Sequence, residues 1–211
     1  MRYPSHLIKR VTNNMQGLNL EGFIAGQGNP HACVMIIGEA PGRTEIESHI
    51  PFSGKAGKEL TTSLQQIGVP RETVYITSAV RSRPFAIKQD KRNATVKYPN
   101  RKPSQKEITV HAPLLDWEIT QIRPQLILTL GNTALQRLVG KNFTISKYHG
   151  AVLHQKILQL DQETNEYQRS VNEYRVVPLY HPAAVFYNRR LASVIQTDWD
   201  VVKRAITVHC M

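Results

Sequence analysis

Four short runs rich in β-branched residues, CVMIIG (33–38), TVYITS (73–78), QLILTLG (125–131) and YRVVPLYH (174–181), punctuate the chain, with helical patterns between the first three. Strands alternating with helices predict a mostly parallel sheet covered on both faces. The runs are continuously apolar, as strands buried on both sides must be. Helical patterns fall at 55–68, 104–122, 132–139 and 190–207, the second open to a break at Pro113 and the third capped by Asn132. Residues 151–177 differ: AVLHQKILQL and YQRSVNEYRVV flank the polar DQETNE, which predicts a hairpin extending a sheet edge. The expected architecture is α/β, a three-layer α/β/α sandwich around a central, mostly parallel four-stranded sheet. It is expected to form a single domain over 1–211, with a basic loop insertion around 85–105.

A chain of 211 residues with 41% apolar content can bury one substantial core. The first residues, MRYPSHLIKRVTNN, carry charge and no apolar h-region, and no stretch approaches the length of a membrane span, so a cytoplasmic protein without a membrane partner is expected. Cys33 and Cys210 form no CxxC pattern, and neither a disulfide nor a cysteine-built metal site is expected from them. Lys and Arg number 27 against 16 Asp and Glu, a net charge of +11, which favours polyanionic partners. Much of that charge is local. Arg81, Arg83, Lys88, Lys91, Arg92, Lys97, Arg101, Lys102 and Lys106 lie near a single acid, Asp90, interleaved with Phe85 and Tyr98. The composition predicts a mobile basic loop able to follow a phosphate backbone.

The chemistry sits after the apolar runs. Glu39-Ala40-Pro41-Gly42 follows the first, Ser78 to Arg83 the second, Gly131-Asn132-Thr133 the third and His181-Pro182 the last. In an open parallel sheet, ligands bind outside the carboxyl ends of the strands, so all four are expected to face one cleft. Several chemistries are excluded there. No GxGxxG is present, and a Walker loop ending at Gly54-Lys55 would need glycine where His49 stands. HExxH and the GxSxG nucleophile elbow are also missing. A two-carboxylate glycosidase would need a partner for Glu39, whereas Glu45 and Glu47 read as a solvated face.

The ordered set GEAPG (38–42), PFSGKAG (51–57), TVYITSAVRSRP (73–84), IRPQLILTLGNTAL (122–135) and YHPAA (180–184) resembles the uracil-DNA glycosylase superfamily, closest to its family 4, over most of residues 24–188. The resemblance implies a monofunctional glycosylase that flips a base out of DNA, hydrolyses its bond to deoxyribose and leaves an abasic site. Glu39 would position water and oppose positive charge on the sugar, and His181 would donate to the departing base. Phe52 would stack on the base, with Ala40, Gly42 and Ser78 completing its pocket. Lys55, Arg81, Arg83, Asn188, Arg189 and Arg190 would contact DNA, with Val185 and Phe186 as a wedge into the base stack. On their own terms Phe52 also fits a core position, His181 a strand cap and Glu39 a turn anchor. A monomer acting on single- or double-stranded DNA is expected; the alternative is a DNA-binding protein of the same fold that has lost hydrolysis.

Two departures from the family stand out. Its members typically hold an iron-sulfur cluster on four cysteines, and the corresponding positions here are Val11, Asn14, Ser82 and His111. Thiolates are the usual ligands of such clusters, so no metal and no cofactor is expected. The second-strand motif usually offers asparagine to the pyrimidine edge, and here it offers Ser78. A bidentate contact discriminates by about 1–3 kcal/mol. Its loss predicts broadened or altered base choice unless Asn132 or water supplies the missing group.

Overall fold

Side chains of adjacent residues in a strand point to opposite faces, and the apolar runs use both. In the computed structural model, which describes residues 2–89 and 95–210, Val34 and Ile36 face one helical layer while Met35 and Ile37 face the other. Strands β1 (Gln27–Gly28), β2 (Val34–Gly38), β3 (Tyr75–Ser78), β4 (Leu126–Leu130), β5 (Leu153–Leu160) and β6 (Tyr167–Leu179) form a six-stranded sheet in the order β1-β3-β2-β4-β6-β5. The four inner strands, β3, β2, β4 and β6, are parallel and correspond to the four predicted runs. The two edge strands are antiparallel to their neighbours: β5 with β6 is the hairpin expected over 151–177, and β1 is an addition to the expected sheet. β1 is two exposed residues with no apolar signature, so nothing in its composition announces it.

The helices, in chain order, are α1 (Ser5–Asn14), α2 (Arg43–Ser48), α3 (Lys55–Gln66), α4 (Gln105–Ile122), α5 (Asn132–Val139), α6 (Ile145–Tyr148), α7 (Ala184–Tyr187) and α8 (Leu191–His209). One face of the sheet buries Leu60 and Leu64 of α3 and Trp199, Val202 and Ala205 of α8. The other buries Leu115 and Ile119 of α4 and Leu135, Leu138 and Val139 of α5, giving three layers. α1 packs Leu7 and Val11 against Leu114 of α4. α4 runs unbroken through Pro113, where the sequence had left a break open. Burial of its apolar face and a capping box, in which Ser104 N–H donates to Glu107 and Glu107 N–H donates to Ser104 Oγ, outweigh the one lost helical hydrogen bond.

The expectation about cysteine is corrected. Cys33, just before β2, is disulfide-bonded to Cys210, just after α8, with their Cα atoms 5.7 Å apart. The two lie 177 residues apart in sequence, and only the return of α8 across the sheet brings them together. Of the basic loop, residues 83–89 and 95–102 form a ribbon in which Lys88 pairs with Lys97, Gln89 with Val96 and Phe85 with Asn100. Lys91 and Arg92, assigned to the loop from sequence, lie outside the described residues.

Candidate active site

β2 ends at Gly38, and the chain leaves the sheet through Glu39, Ala40 and Pro41 to Gly42, the N-cap of α2. Backbone bonds from Ala79 N–H to Gly38 O and from Val80 N–H to Glu39 O hold this exit against the end of β3. Glu39 is half-buried, and burial pushes its carboxyl above the ordinary range; the Thr133 hydroxyl and the Lys102 ammonium pull the other way. A carboxylate there is therefore poorly solvated and responsive to whatever charge develops beside it.

Phe52 is placed by bare backbone. Its φ is +53°, in the left-handed region that bulky residues rarely adopt. A Cβ on Gly57 would stand 1.8 Å from the Phe52 carbonyl oxygen, and one on Gly38 would stand 2.5 Å from the ring's Cζ. Glycine at both positions lets α3 close onto the Phe52 backbone while the ring tip lies over the end of β2. From outside, Arg71 Nη2 donates to Pro51 O at 2.5 Å. This positive-φ turn is what turns an apparent core aromatic toward the cavity.

Glu45 is the residue sequence reasoning missed. Its Oε2 accepts Gly42 N–H at 2.9 Å, while Oε1 accepts Ser53 N–H at 3.1 Å and Gly54 N–H at 2.9 Å. One carboxylate thus ties the turn after β2 to the turn before α3, where a solvated face had been expected. The available signal was its place three residues after Gly42 at a helix start, where a carboxylate closes a capping box.

His181 follows β6, half-buried, and burial lowers its pKa against a smaller opposing effect of Glu45. Its Nδ1 accepts the Ala183 N–H at 3.2 Å. A backbone amide can only donate, so the neutral ring carries its proton on Nε2. The Phe52 and His181 rings lie 6.1 Å apart, 31° from parallel. Behind them Tyr180 packs on His149, whose Nδ1 lies 2.9 Å from Asp198 of α8. Gly131, at φ +89°, leaves room for His181, whose Cβ would be 3.4 Å from a Cβ at that position.

Glu39, Ala40, Gly42, Phe52, Lys55, Ser78 and His181 line one cavity of about 500 Å³, with Glu45, Asn100, Arg101 and Lys102 on its walls. Ser78, nearly buried, donates its hydroxyl proton to Val80 O at 2.7 Å. Asn132 does not reach the cavity; its Oδ1 accepts the Ile145 N–H at 2.8 Å. Val185, Phe186, Asn188, Arg189 and Arg190 lie immediately beyond His181, in and after α7, and all but Val185 are exposed. Beside Phe186, Tyr187 is 90% exposed and was not singled out from sequence.

Two assigned DNA contacts are corrected. Arg81 is fully buried and forms an ion pair with Glu118, which also accepts from Tyr3 Oη at 2.5 Å, Tyr75 Oη at 2.9 Å and Thr77 Oγ1 at 2.8 Å. Burial pushes the Tyr3 hydroxyl up to about 12. Arg83 is buried as well; it pairs with Glu21, donates to Tyr98 O, and places Nε 2.5 Å from Asn100 Oδ1. Neither guanidinium can reach a phosphate. Both point inward because acids and carbonyls are supplied there by distant elements, and a positive charge in sequence carries no direction.

The positions matching the family's cluster ligands do not fit an iron-sulfur group. Val11 packs with Leu7 and Leu114, and Asn14 is exposed. Ser82 is buried with its hydroxyl 3.8 Å from Met15 Sδ, and His111 is buried with Nδ1 accepting the Arg81 N–H at 3.3 Å. Burial and the neighbouring Arg81 charge press the His111 pKa down to about 3, so this imidazole is a neutral packing group. Among the described residues no group of three or more His, Cys, Asp or Glu is placed to hold a metal ion.

The mostly parallel sheet and the acid-imidazole cavity at its carboxyl edge define a member of a known class: residues 25–204 match the uracil DNA glycosylase superfamily, and the chain belongs to it. Within that class the chain is similar to several type-4 uracil-DNA glycosylases. The enzyme of Sulfurisphaera tokodaii is 34% identical over 190 residues, covering 87% of this chain and 75% of the relative, so this chain is of the same family. The enzyme of Thermotoga maritima is 29% identical over 209 residues, covering 98% and 94%. A DNA polymerase of Bacillus phage SP01 matches 84% of this chain at 34% identity within 16% of its own length.

Proposed function

We propose that the protein is a monofunctional DNA glycosylase that hydrolyses the N-glycosidic bond of uracil, or another deaminated base, in DNA. The observation that carries this reading is that Glu39 and His181, from opposite ends of the sequence, line the same cavity together with Phe52. The base leaves the duplex and enters the cavity, with the face of Phe52 as its platform. As the bond from C1′ to the base breaks, its electron pair stays with the base and positive charge grows on the sugar. His181 Nε2–H meets the charge developing on the base oxygen, and being neutral it does so without costing a buried imidazolium. Glu39, ionised, holds the attacking water and opposes the sugar's charge; water's oxygen joins C1′ and its proton is released. No step calls on a metal, and the chain acts without an iron-sulfur cluster. Lys55, Arg189 and Arg190 supply contacts to phosphates, and Val185 and Phe186 fill the space the base vacates.

The test is incubation with oligonucleotides carrying uracil, hypoxanthine, xanthine or cytosine, followed by alkali to reveal abasic sites. Cleavage at uracil, absent for cytosine and lost in Glu39→Gln and His181→Ala, is expected; cleavage surviving both substitutions overturns the reading. Stoichiometric iron in the purified protein would contradict the cluster-free part.

A further inference from the structure

Ser78, the last residue of β3 and part of the cavity lining, has spent its hydroxyl proton on Val80 O. What it turns to the cavity is therefore oxygen lone pairs, an acceptor for a base N–H. A matching donor for the neighbouring keto oxygen is missing from that strand, and Asn132 is engaged elsewhere.

Asn100, in the ribbon of the basic loop, lines the same cavity. Its amide orientation follows from its partner. Arg83 Nε can only donate, so the atom facing it is the carbonyl Oδ1, 2.5 Å away. Nδ2, with two N–H donors, is left on the opposite side, 3.0 Å from the point where a Cβ on Gly42 would stand. Gly42 belongs to the turn that also carries Glu39, which puts this donor at the cavity wall. Arg83 is itself held by Glu21 and Tyr98 O, so the amide rests on a fixed, buried support.

We propose that Asn100 is a specificity-determining residue whose Nδ2 donates to the keto oxygen of the flipped base while Ser78 Oγ accepts from the adjacent ring N–H. The inference rests on the glycosylase reading and names its substrate class. Donor beside acceptor matches the edge that deamination creates, O4 with N3–H in uracil and O6 with N1–H in hypoxanthine. Cytosine and adenine present the reverse pattern, an amino group beside an unprotonated nitrogen, and meet donor against donor and acceptor against acceptor.

The experiment is single-turnover excision from two oligonucleotides, one with uracil and one with pyrimidin-2-one, which lacks both the 4-keto oxygen and the N3 proton, by the wild-type protein and by Asn100→Ala; the lost N3–H contact to Ser78 is common to both proteins and leaves the comparison to Asn100. Intrinsic leaving-group differences cancel when the uracil to pyrimidin-2-one rate ratio is compared between the two proteins. Loss of one hydrogen bond predicts that the variant lowers that ratio about five- to tenfold, through slower excision of uracil alone. Arg83→Gln, which releases the amide without touching the cavity, should lower the ratio in the same direction. An unchanged ratio, with both substrates slowed equally or neither slowed, overturns the proposal while leaving the glycosylase reading intact. Absence of wild-type excision from every base would instead defeat the reading on which it rests.

Discussion

The two walls of the cavity are built by opposite means. The wall formed by residues 38–57 is set by backbone: two glycines that admit Phe52, a left-handed φ at Phe52 itself, and three amides gathered by Glu45. The wall formed by Pro84 and by Asn100, Arg101 and Lys102 is braced by side chains, with Arg83 on Glu21 and Asn100, Arg101 on Glu107 and, two residues before Arg83, Arg81 on Glu118. A wall made of backbone leaves a local trace in sequence, because glycine and proline mark it wherever it occurs. One made of ion pairs leaves none, because each arginine looks the same whether it faces Glu118 or solvent.

Substitutions can break each wall separately. The largest effect is expected from Glu39→Gln, which keeps the turn but removes the charge; single-turnover excision should fall by about 10²–10⁴-fold, the usual worth of a positioned acid-base group. Glu118→Gln attacks the other wall's foundation, leaving Arg81 buried without its carboxylate. Removing one partner of a buried pair costs about 3–5 kcal/mol, which urea unfolding would register, while the rate per folded molecule should change much less. Gly57→Ala sets a methyl 1.8 Å from the Phe52 carbonyl oxygen. Displacing a strained turn of this kind costs about 1–3 kcal/mol, and slower uracil excision should accompany the lower stability. The smallest effect separates the two kinds of arginine. Arg189→Ala should reduce the slope of log binding constant against log salt by about one, the signature of one phosphate contact, whereas Arg83→Gln should leave the slope unchanged.

These differences mirror what the sequence allowed one to read. The inner strands were legible because they are buried on both faces, and Glu39 and His181 because they directly follow two of them. Their meeting in one cavity follows from parallel strands sharing a carboxyl edge. The disulfide was illegible, since Cys33 and Cys210 are joined only by the path of α8. Arg81 and Arg83 were misread as phosphate contacts for a related reason: Glu118 and Glu21, which turn them inward, belong to other elements. Glu45 had a local signal in its spacing from Gly42, but its bonds to Ser53 and Gly54 depend on a second turn folding against the first. Asn100 required both, a pleated ribbon to bring it near and a buried guanidinium to orient it.

Excision rate as a function of pH tests the central arrangement, a poorly solvated carboxylate across one cavity from a neutral imidazole. Glu39 has its pKa raised by burial, so the ionised, active form is lost as pH falls, and lost at a higher pH than for an ordinary glutamate near 4.5. His181 has its pKa lowered from the ordinary 6.5, so it is already neutral at pH 7 and nothing further is lost as pH rises. Single-turnover rates on a uracil oligonucleotide should therefore show an acid limb that disappears in Glu39→Gln, then a plateau from neutral pH upward. A rate that instead declines as pH rises through 6.5, and does so only while His181 is present, would mean that the imidazolium is the working form and would contradict the account.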